Sequence, residues 1–481
     1  QAALSFLIVA SLLFYAWSEP RWVFALIALM GLNYAAGIFL RRRQASRLVL
    51  SVTIAINLVV LAIPKYGDFV AFNLRDIGVG IDPLGIALPI GISFFVFQQI
   101  AYVVDCYRRN VVEHGFQEYA AFITFFPHFI SGPFLFSKDM LPQLADSKRR
   151  GIERSDILTG GALFTIGLAK KLLLADHVEI FANPVFDAAA RGTPVTFLEA
   201  WGGVLAYTFQ IYFDFSGYSD MAIGVARMFG LRIPANFNSP YKATSIIDFW
   251  RRWHISLSRF LRDYLYVPLG GNRHGAARRY TNLMIVMLLG GFWHGAGWGF
   301  VVWGGLHGFY LVINHGFRHL RGASPHWPST QWIGRVVTFL AVTVAWVFFR
   351  SDSFTTASTI LSGMAGLNGF VLDAATHGEL GILGDTLVSS GWHLETGREL
   401  AFAGFFQILW LTTMLTIVWT APNSQQQIDG LDLASRTAPG PDGARILAWR
   451  PALEWLAVTA VLLLISVPHI FVKRPFLYFQ F

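Results

Sequence analysis

The sequence predicts an all-α polytopic membrane protein, and three observations carry that reading. First, 54% of the 481 residues are hydrophobic and only 14% are charged, whereas a soluble domain has about a quarter of its residues charged. Mean hydropathy is +0.49. Second, the apolar residues form continuous runs along the whole chain, not the apolar-polar alternation of a membrane β-barrel. Third, Lys and Arg fall between the runs, as the positive-inside bias requires. The net charge of +8 therefore describes the loops of a protein in a lipid bilayer, and no nucleic-acid partner is expected. The single cysteine, Cys106, excludes an internal disulfide framework and a cysteine metal cluster.

In chain order, the apolar runs 2–17, 22–40, 48–64, 84–104, 157–175, 195–213, 280–293, 296–314, 332–349, 401–420 and 452–471 are expected to span the membrane. The first is read as a helix and not a signal peptide, because no small-residue cleavage pattern follows it. The segment 119–136 carries Pro127, His128, Gly132 and Pro133. Broken backbone at membrane depth must be buried in protein or line a cavity, so this segment is read as re-entrant. Arg41, Arg42, Arg43 and Arg47 set the cytoplasmic side. Counting onward puts 214–279 on that side and the acidic loop 351–400 outside. Residues 421–450, with a Gln run and TAPGPDG, read as a polar linker. No fixed-period repeat is visible, and 1–481 is treated as one domain with its core at about 209–314.

The candidate chemistry begins in Leu289–Gly308, LGGFWHGAGWGFVVWGGLHG, where His294 and His307 stand in otherwise apolar surroundings. A titratable group at such depth is by default functional. A helix entering from the cytoplasm near Tyr280 rises about 20 Å by Phe292, which places His294 within the bilayer, about midway. Gly290, Gly291, Gly295 and Gly297 permit close approach of another backbone or a ligand. Trp293, Trp298 and Trp303 could line a slim passage there. A neutral histidine is a natural proton acceptor near pH 7. If His294 deprotonates a hydroxyl as it attacks a thioester carbonyl, the step is acyl transfer with general-base help. The competing reading of each histidine is a satisfied core residue; His307 after WGG could simply bond a backbone carbonyl.

Ile246–Val267, IIDFWRRWHISLSRFLRDYLYV, wound as one α-helix, puts Trp250, Trp253, Leu257, Phe260, Leu261 and Tyr264 on one face. Arg251, Arg252, Arg259 and Arg262 lie opposite. That is the pattern of an interfacial helix, with a basic face for lipid phosphates or the phosphates of a nucleotide-bearing donor. His254 lies on the apolar stripe and points inward, where it could orient the reacting group or bind the developing oxyanion. In Phe209–Gly230, Asp214, Asp220 and Arg227 are in apolar company. Asp220 and Arg227, seven apart, share a helix face and read as an ion pair, with substrate passage as the alternative. Asp105 reads as structural at a helix end. The chain has no G-x-S-x-G elbow, phosphate loop or H-E-x-x-H pair. The histidines lack nearby Cys or clustered carboxylates, so no metal is expected.

The stretches FDFSGYSDMAIGVARMFG (213–230), NFNSPYKATSIIDFWRRWHISLSRFLRDYLYVPLGGNR (236–273), MLLGGFWHGAGWGFVVWGGLHG (287–308) and RPFLYFQF (474–481) resemble the membrane-bound O-acyltransferases. Within that family they resemble the branch that acetylates alginate and other bacterial exopolysaccharides. The resemblance implies a bundle of about 11 transmembrane helices, plus re-entrant and interfacial helices, around a transmembrane passage. It implies that His294 in the WHG motif is catalytic and that His254, 40 residues upstream in RRWHIS, is its polar companion. Tyr218, Asn238 and Tyr241 in the same stretches join Asp214, Asp220 and His307 as supporting or passage-lining candidates. It further implies acetyl-CoA, or another acetyl thioester, as cytoplasmic donor substrate with no bound cofactor. The implied partner is a periplasmic or membrane-anchored polysaccharide acetyltransferase, the acceptor an exopolysaccharide, and the location the bacterial inner membrane. The D-alanine-transferring branch shares RWH and WHG, but PLGGNR and RPFLYFQF look more like the polysaccharide branch. A transporter or proton-coupled channel using the histidines as a relay is the main alternative; a structural subunit of a polysaccharide synthase is another.

Overall fold

Each of the eleven apolar runs becomes a helix, because a backbone in lipid must satisfy its own hydrogen bonds. The computed structural model describes residues 2–42, 46–129, 132–146, 152–321, 328–396, 401–402, 404–428, 452–472, 474 and 476–477. Helices α1 (Ala2–Ser18), α2 (Val23–Arg42) and α3 (Arg47–Asp76) open the chain. Asn33 and Asn57 exchange side-chain amide hydrogen bonds of 2.8 and 3.2 Å between α2 and α3, a polar link suited to an apolar medium. α3 runs 12 residues past the expected span, through Pro64. Helix α4 (Ile92–Tyr107) starts later than expected, after Gly91 in the left-handed region at φ +73°.

The segment 119–136 is broken backbone, as its prolines and glycine lead one to expect. Helix α5 (Phe116–Thr124) gives way to a short 3-10 turn at Phe126–His128, and non-helical residues 132–136 lead into α6 (Ser137–Ala145). Ser137 then donates 3.0 Å to Asp105 at the end of α4. Tyr264 donates to the same carboxylate at 2.8 Å, so Asp105 is structural at a helix end as expected.

Helix α7 (Arg154–Ala169) passes through a π-helical turn, Lys170–Ala175, into α8 (Asp176–Ala190). Helix α9 (Phe197–Met228) lies against α7 at reciprocal glycine contacts: a Cβ on Gly167 would stand 2.5 Å from the Gly217 carbonyl, and one on Gly160 2.5 Å from that of Gly224. The expected single interfacial helix at 246–267 is broken. Helix α10 (Ile246–Arg252) ends at extended Trp253, His254 takes a left-handed conformation (φ +43°), and α11 (Ile255–Leu261) follows, ending in a second π-helical turn. Periodicity read through one continuous helix does not reveal this break, after which the two halves pack into different clusters, Phe249 and Trp253 into one and Leu257, Phe260 and Leu261 into another.

Helices α12 (Gly275–His294) and α13 (Trp298–Arg321) form a hairpin, and α14 (Pro328–Arg350) packs beside it. Residues 351–396, the described part of the expected outer loop, hold α15 (Phe354–Met364), β1 (Val371–Asp373), α16 (Ala374–Leu380), α17 (Ile382–Ser389) and β2 (His393–Glu395). β1 and β2 pair in parallel, Val371 opposite His393. Helix α18 (Phe405–Thr420), short α19 (Ser424–Gln427) and α20 (Leu453–Ser466) complete the order. The expected linker begins as packed chain, since Asn423 donates to Asn238 at 2.9 Å and Gln425 to the Phe237 carbonyl at 2.7 Å. Residues 429–450 lie outside the described residues.

Among the described residues, five helical stretches are long and apolar enough to cross a membrane: Val23–Arg42, Arg47–Asp76, Arg154–Ala190, Thr330–Arg350 and Leu453–Phe471. Two large apolar cores organise the bundle, one around α8, α9, α13 and α14 and one around α1 to α5 and α7. A smaller cluster joins Phe94, Phe134, Leu257, Phe260 and Trp293. His294 sits where Trp293 of the small cluster meets Trp303 of the first core.

Candidate active site

Helix α12 ends on His294 because Gly295 turns extended (φ −162°, ψ 156°). The hairpin can close tightly there, as a Cβ on Gly291 would collide with the Phe300 carbonyl and one on Gly304 with that of Met287. The α12 axis rises about 28 Å over its length, so His294 lies at the far end from the basic start of the helix. Consecutive residues of α3 meet the last turn. Tyr66 donates to the Phe292 carbonyl at 2.9 Å, and Lys65 to those of Trp293 at 2.5 Å and His294 at 3.3 Å.

Aromatic rings frame the imidazole. The centroids of Trp293, Trp303 and Phe349 lie 5.0, 5.1 and 5.3 Å from that of His294, at 67°, 89° and 70°. His294 keeps 7% of its surface exposed, while His254 and His307 keep none. Phe349 and Phe300 also line a cavity of about 520 Å³, together with Trp298, Gly297, Ser351, Asp352 and Ser353. Trp298 thus lines this cavity and does not touch His294; its indole donates 2.9 Å to Asn73.

His254 is held by Asn236, a residue that the sequence alone does not single out. The backbone N–H of Ser256 reaches the Asn236 side-chain oxygen at 3.2 Å, and an N–H can only donate, which fixes that atom as oxygen. The Ser256 hydroxyl at 2.8 Å and His254 Nδ1 at 3.1 Å converge on the same oxygen. Nδ1 therefore carries a proton, leaving Nε2 as the acceptor nitrogen of the neutral ring. The His254 centroid lies 4.8 Å from Phe215 and 6.4 Å from Trp293. His307, one turn beyond Trp303 on α13, lies 4.7 Å from Trp303 and 5.2 Å from Trp250. Among the described residues neither of its ring nitrogens has a hydrogen-bond partner; it does not bond a backbone carbonyl. The structure thus assembles an alternating row: His254, Trp293, His294, Trp303, His307.

Other candidates fall elsewhere. Asp220 pairs with Lys170 at 2.6 Å and Arg227 with Asp156 at 2.7 Å, so the expected Asp220–Arg227 ion pair does not form. Each found a nearer partner on α7 or its π-helical turn, a contact that helix-face geometry within α9 cannot reveal. Asp214 pairs with Lys171 at 2.7 Å and accepts from the Leu477 N–H at 3.1 Å. Tyr218 meets Phe476 at 5.0 Å. These groups hold the C-terminal stretch; Tyr478–Phe481 lie outside the described residues. Tyr241 donates 2.6 Å to the Thr208 carbonyl. Of the basic face, Arg252 pairs with Asp248 at 2.9 Å, Arg259 with Asp139 at 2.6 Å and Arg262 with Asp263 at 2.8 Å, while Arg251 and Arg262 are exposed. Among the described residues no group of three His, Cys, Asp or Glu side chains could hold a metal ion.

Comparison with known proteins agrees with this architecture. The model of the membrane-bound O-acyltransferase family matches residues 3–355. The chain is 36% identical over 508 residues to the probable alginate O-acetylase AlgI of Pseudomonas aeruginosa, covering 99% of this chain and 94% of the relative. It is 41% identical over 395 residues to the peptidoglycan O-acetyltransferase of Helicobacter pylori, covering 76% and 74%. Identity to the teichoic acid D-alanyltransferase of Streptococcus thermophilus is 28%, over 54% of this chain and 68% of the relative. A multi-pass helical bundle, matched by the family model over nearly three quarters of its length, makes the chain a member of the membrane-bound O-acyltransferase family, and hence an O-acyltransferase.

Proposed function

We propose that this enzyme takes an acetyl group from cytoplasmic acetyl-CoA and passes it across the bacterial inner membrane for O-acetylation of an exopolysaccharide such as alginate, directly or through a periplasmic partner. The observation that carries this reading is the placement of His294. It ends a helix that starts on the basic side, and Phe349, 5.3 Å from its ring, also lines the cavity beside Ser351 and Asp352. The relatives named for alginate and peptidoglycan O-acetylation support the acetyl group and a glycan end-acceptor.

In this mechanism His294 accepts the proton of the acceptor hydroxyl while the oxygen attacks the thioester carbonyl. A C–O bond forms, the tetrahedral intermediate collapses with loss of the C–S bond, and the imidazolium returns the proton to the leaving thiolate. General-base assistance of this kind contributes about 10²–10⁴-fold. His254 presents Nε2 as an acceptor, which suits orienting a hydroxyl and does not suit donation to an oxyanion. The exposed Arg251 and Arg262 face the side from which the phosphates of the donor arrive.

The test is His294→Ala in the producing cell, with polymer acetylation and the amount of folded membrane protein measured together. Loss of acetylation with protein retained supports the proposal; normal acetylation ends it.

A further inference from the structure

We propose that Lys65 is a positioning residue for the reaction, resting on the reading of His294 as the base: it clamps the end of α12 and so fixes where the imidazole points. Lys65 is 8% exposed on a helix long and apolar enough to span the membrane. A lysine at such depth needs a strong reason to stay. Its three donors meet three acceptors, the carbonyls of Trp293 and His294 and the Ser93 hydroxyl at 3.3 Å. The ammonium also lies 5.6 Å from the centroid of the Trp293 ring.

The last carbonyls of a helix have no partner within it, and the helix dipole makes that end attract a cation. The last turn of α12 contains no Lys or Arg of its own, so α3 supplies the charge. Tyr66 completes the clamp by capping Phe292 and stacking its ring on Phe292 at 4.2 Å and 9°. Three consecutive carbonyls, ending with that of His294 itself, are thereby held from one neighbouring helix. The next residue, Gly295, leaves the helix, so no further turn of α12 would hold the ring if the clamp were released.

The experiment uses membranes carrying the full chain and follows coenzyme A release from acetyl-CoA against donor concentration. Lys65→Met is expected to lower kcat about 10²-fold, the scale of a 1 Å misplacement, with KM for acetyl-CoA unchanged. Lys65→Arg, which keeps charge and donors, is expected to recover most of the rate. Tyr66→Phe deletes one hydrogen bond and keeps the stack, and is expected to lower kcat about threefold to tenfold; it decides the matter if Lys65→Met fails to accumulate. Full kcat in Lys65→Met, or in Tyr66→Phe where Lys65→Met is absent, overturns the clamp. So does a failure of Lys65→Arg to recover activity. His294→Ala runs in parallel: if it retains the rate, the reading of the base has failed, whatever Lys65 does.

Discussion

The Trp303 ring stands edge-on to the His294 ring, 5.1 Å between centroids and at 89°. The same indole touches His307 at 4.7 Å and stacks on Trp346 at 5.7 Å and 20°. Edge-to-face contacts are favoured because a positive ring edge meets a negative face, so Trp303 fixes the plane of the imidazole.

Replacing Trp303 tests that role. Trp303→Ala removes a fully buried side chain and is expected to cost about 3–5 kcal/mol of stability, with polymer acetylation falling further than the loss of folded protein explains. Trp303→Phe keeps a ring at the same place and should retain most activity. Thermal unfolding in detergent beside an acetylation assay separates the two effects. Equal activity per folded molecule in the alanine variant would show that the ring plane does not matter.

Asn236 offers a second test, because its side-chain oxygen receives three hydrogen bonds at once, from His254, Ser256 N–H and the Ser256 hydroxyl. Asn236→Leu strands these donors, each unsatisfied group costing about 1–3 kcal/mol. It also frees the His254 ring to change tautomer. A double-mutant cycle with His254→Ala should be strongly non-additive, since the second change removes what the first disturbs. Additive losses in acetylation would mean that Asn236 acts independently of the histidine.

The contrast between these residues shows what a sequence can display. His294 and His254 stood out because a titratable ring in apolar company is costly and therefore conspicuous. The helices were legible for the same reason, as was the broken backbone of 119–136 with its two prolines. Lys65 and Asn236 were not, because their meaning lies in contacts across 228 and 18 residues of chain. Lys65 in particular looks like the polar end of an apolar span, and only the extra length of α3 reveals it as buried. The Asp220–Arg227 pairing failed on similar grounds: spacing on one helix says which side chains share a face, not which neighbouring helix has a nearer charge. The break at His254 escaped because a periodicity read through a single helix does not show where the chain turns left-handed and its two halves part to different clusters.

Lys171 bridges Asp176 and Asp214, each at 2.7 Å, and all three residues are buried. Lys171→Met leaves two buried carboxylates without their cation, and the expected cost is about 3–5 kcal/mol. Adding Asp214→Asn removes one of the stranded charges while keeping an acceptor for the Leu477 N–H, so the double variant should be more stable than the single. Melting temperatures in detergent measure both. A double variant less stable than Lys171→Met would show that Asp214 contributes something other than charge pairing.

The neighbouring glycines of α13 give the sharpest test of the hairpin, since they differ only in what they face. A Cβ on Gly304 would run into the Met287 carbonyl and stand 3.2 Å from the Gly291 Cα, whereas one on Gly305 would meet only the end of the Leu288 side chain, at 3.5 Å. Backbone cannot yield as a side-chain tip can, so Gly304→Ala should push α13 off α12 just below His294 and depress acetylation by about 10²-fold. Gly305→Ala should be silent or mildly stabilising, as alanine is the better helix former by about 1 kcal/mol. Both carry the same chemical change one residue apart on the same helix. Any general effect of adding a methyl group therefore cancels between them, and a difference in acetylation per folded molecule isolates the separation of the two backbones beneath the imidazole. Equal activity of the two variants would mean that this close approach does not set the geometry of the site.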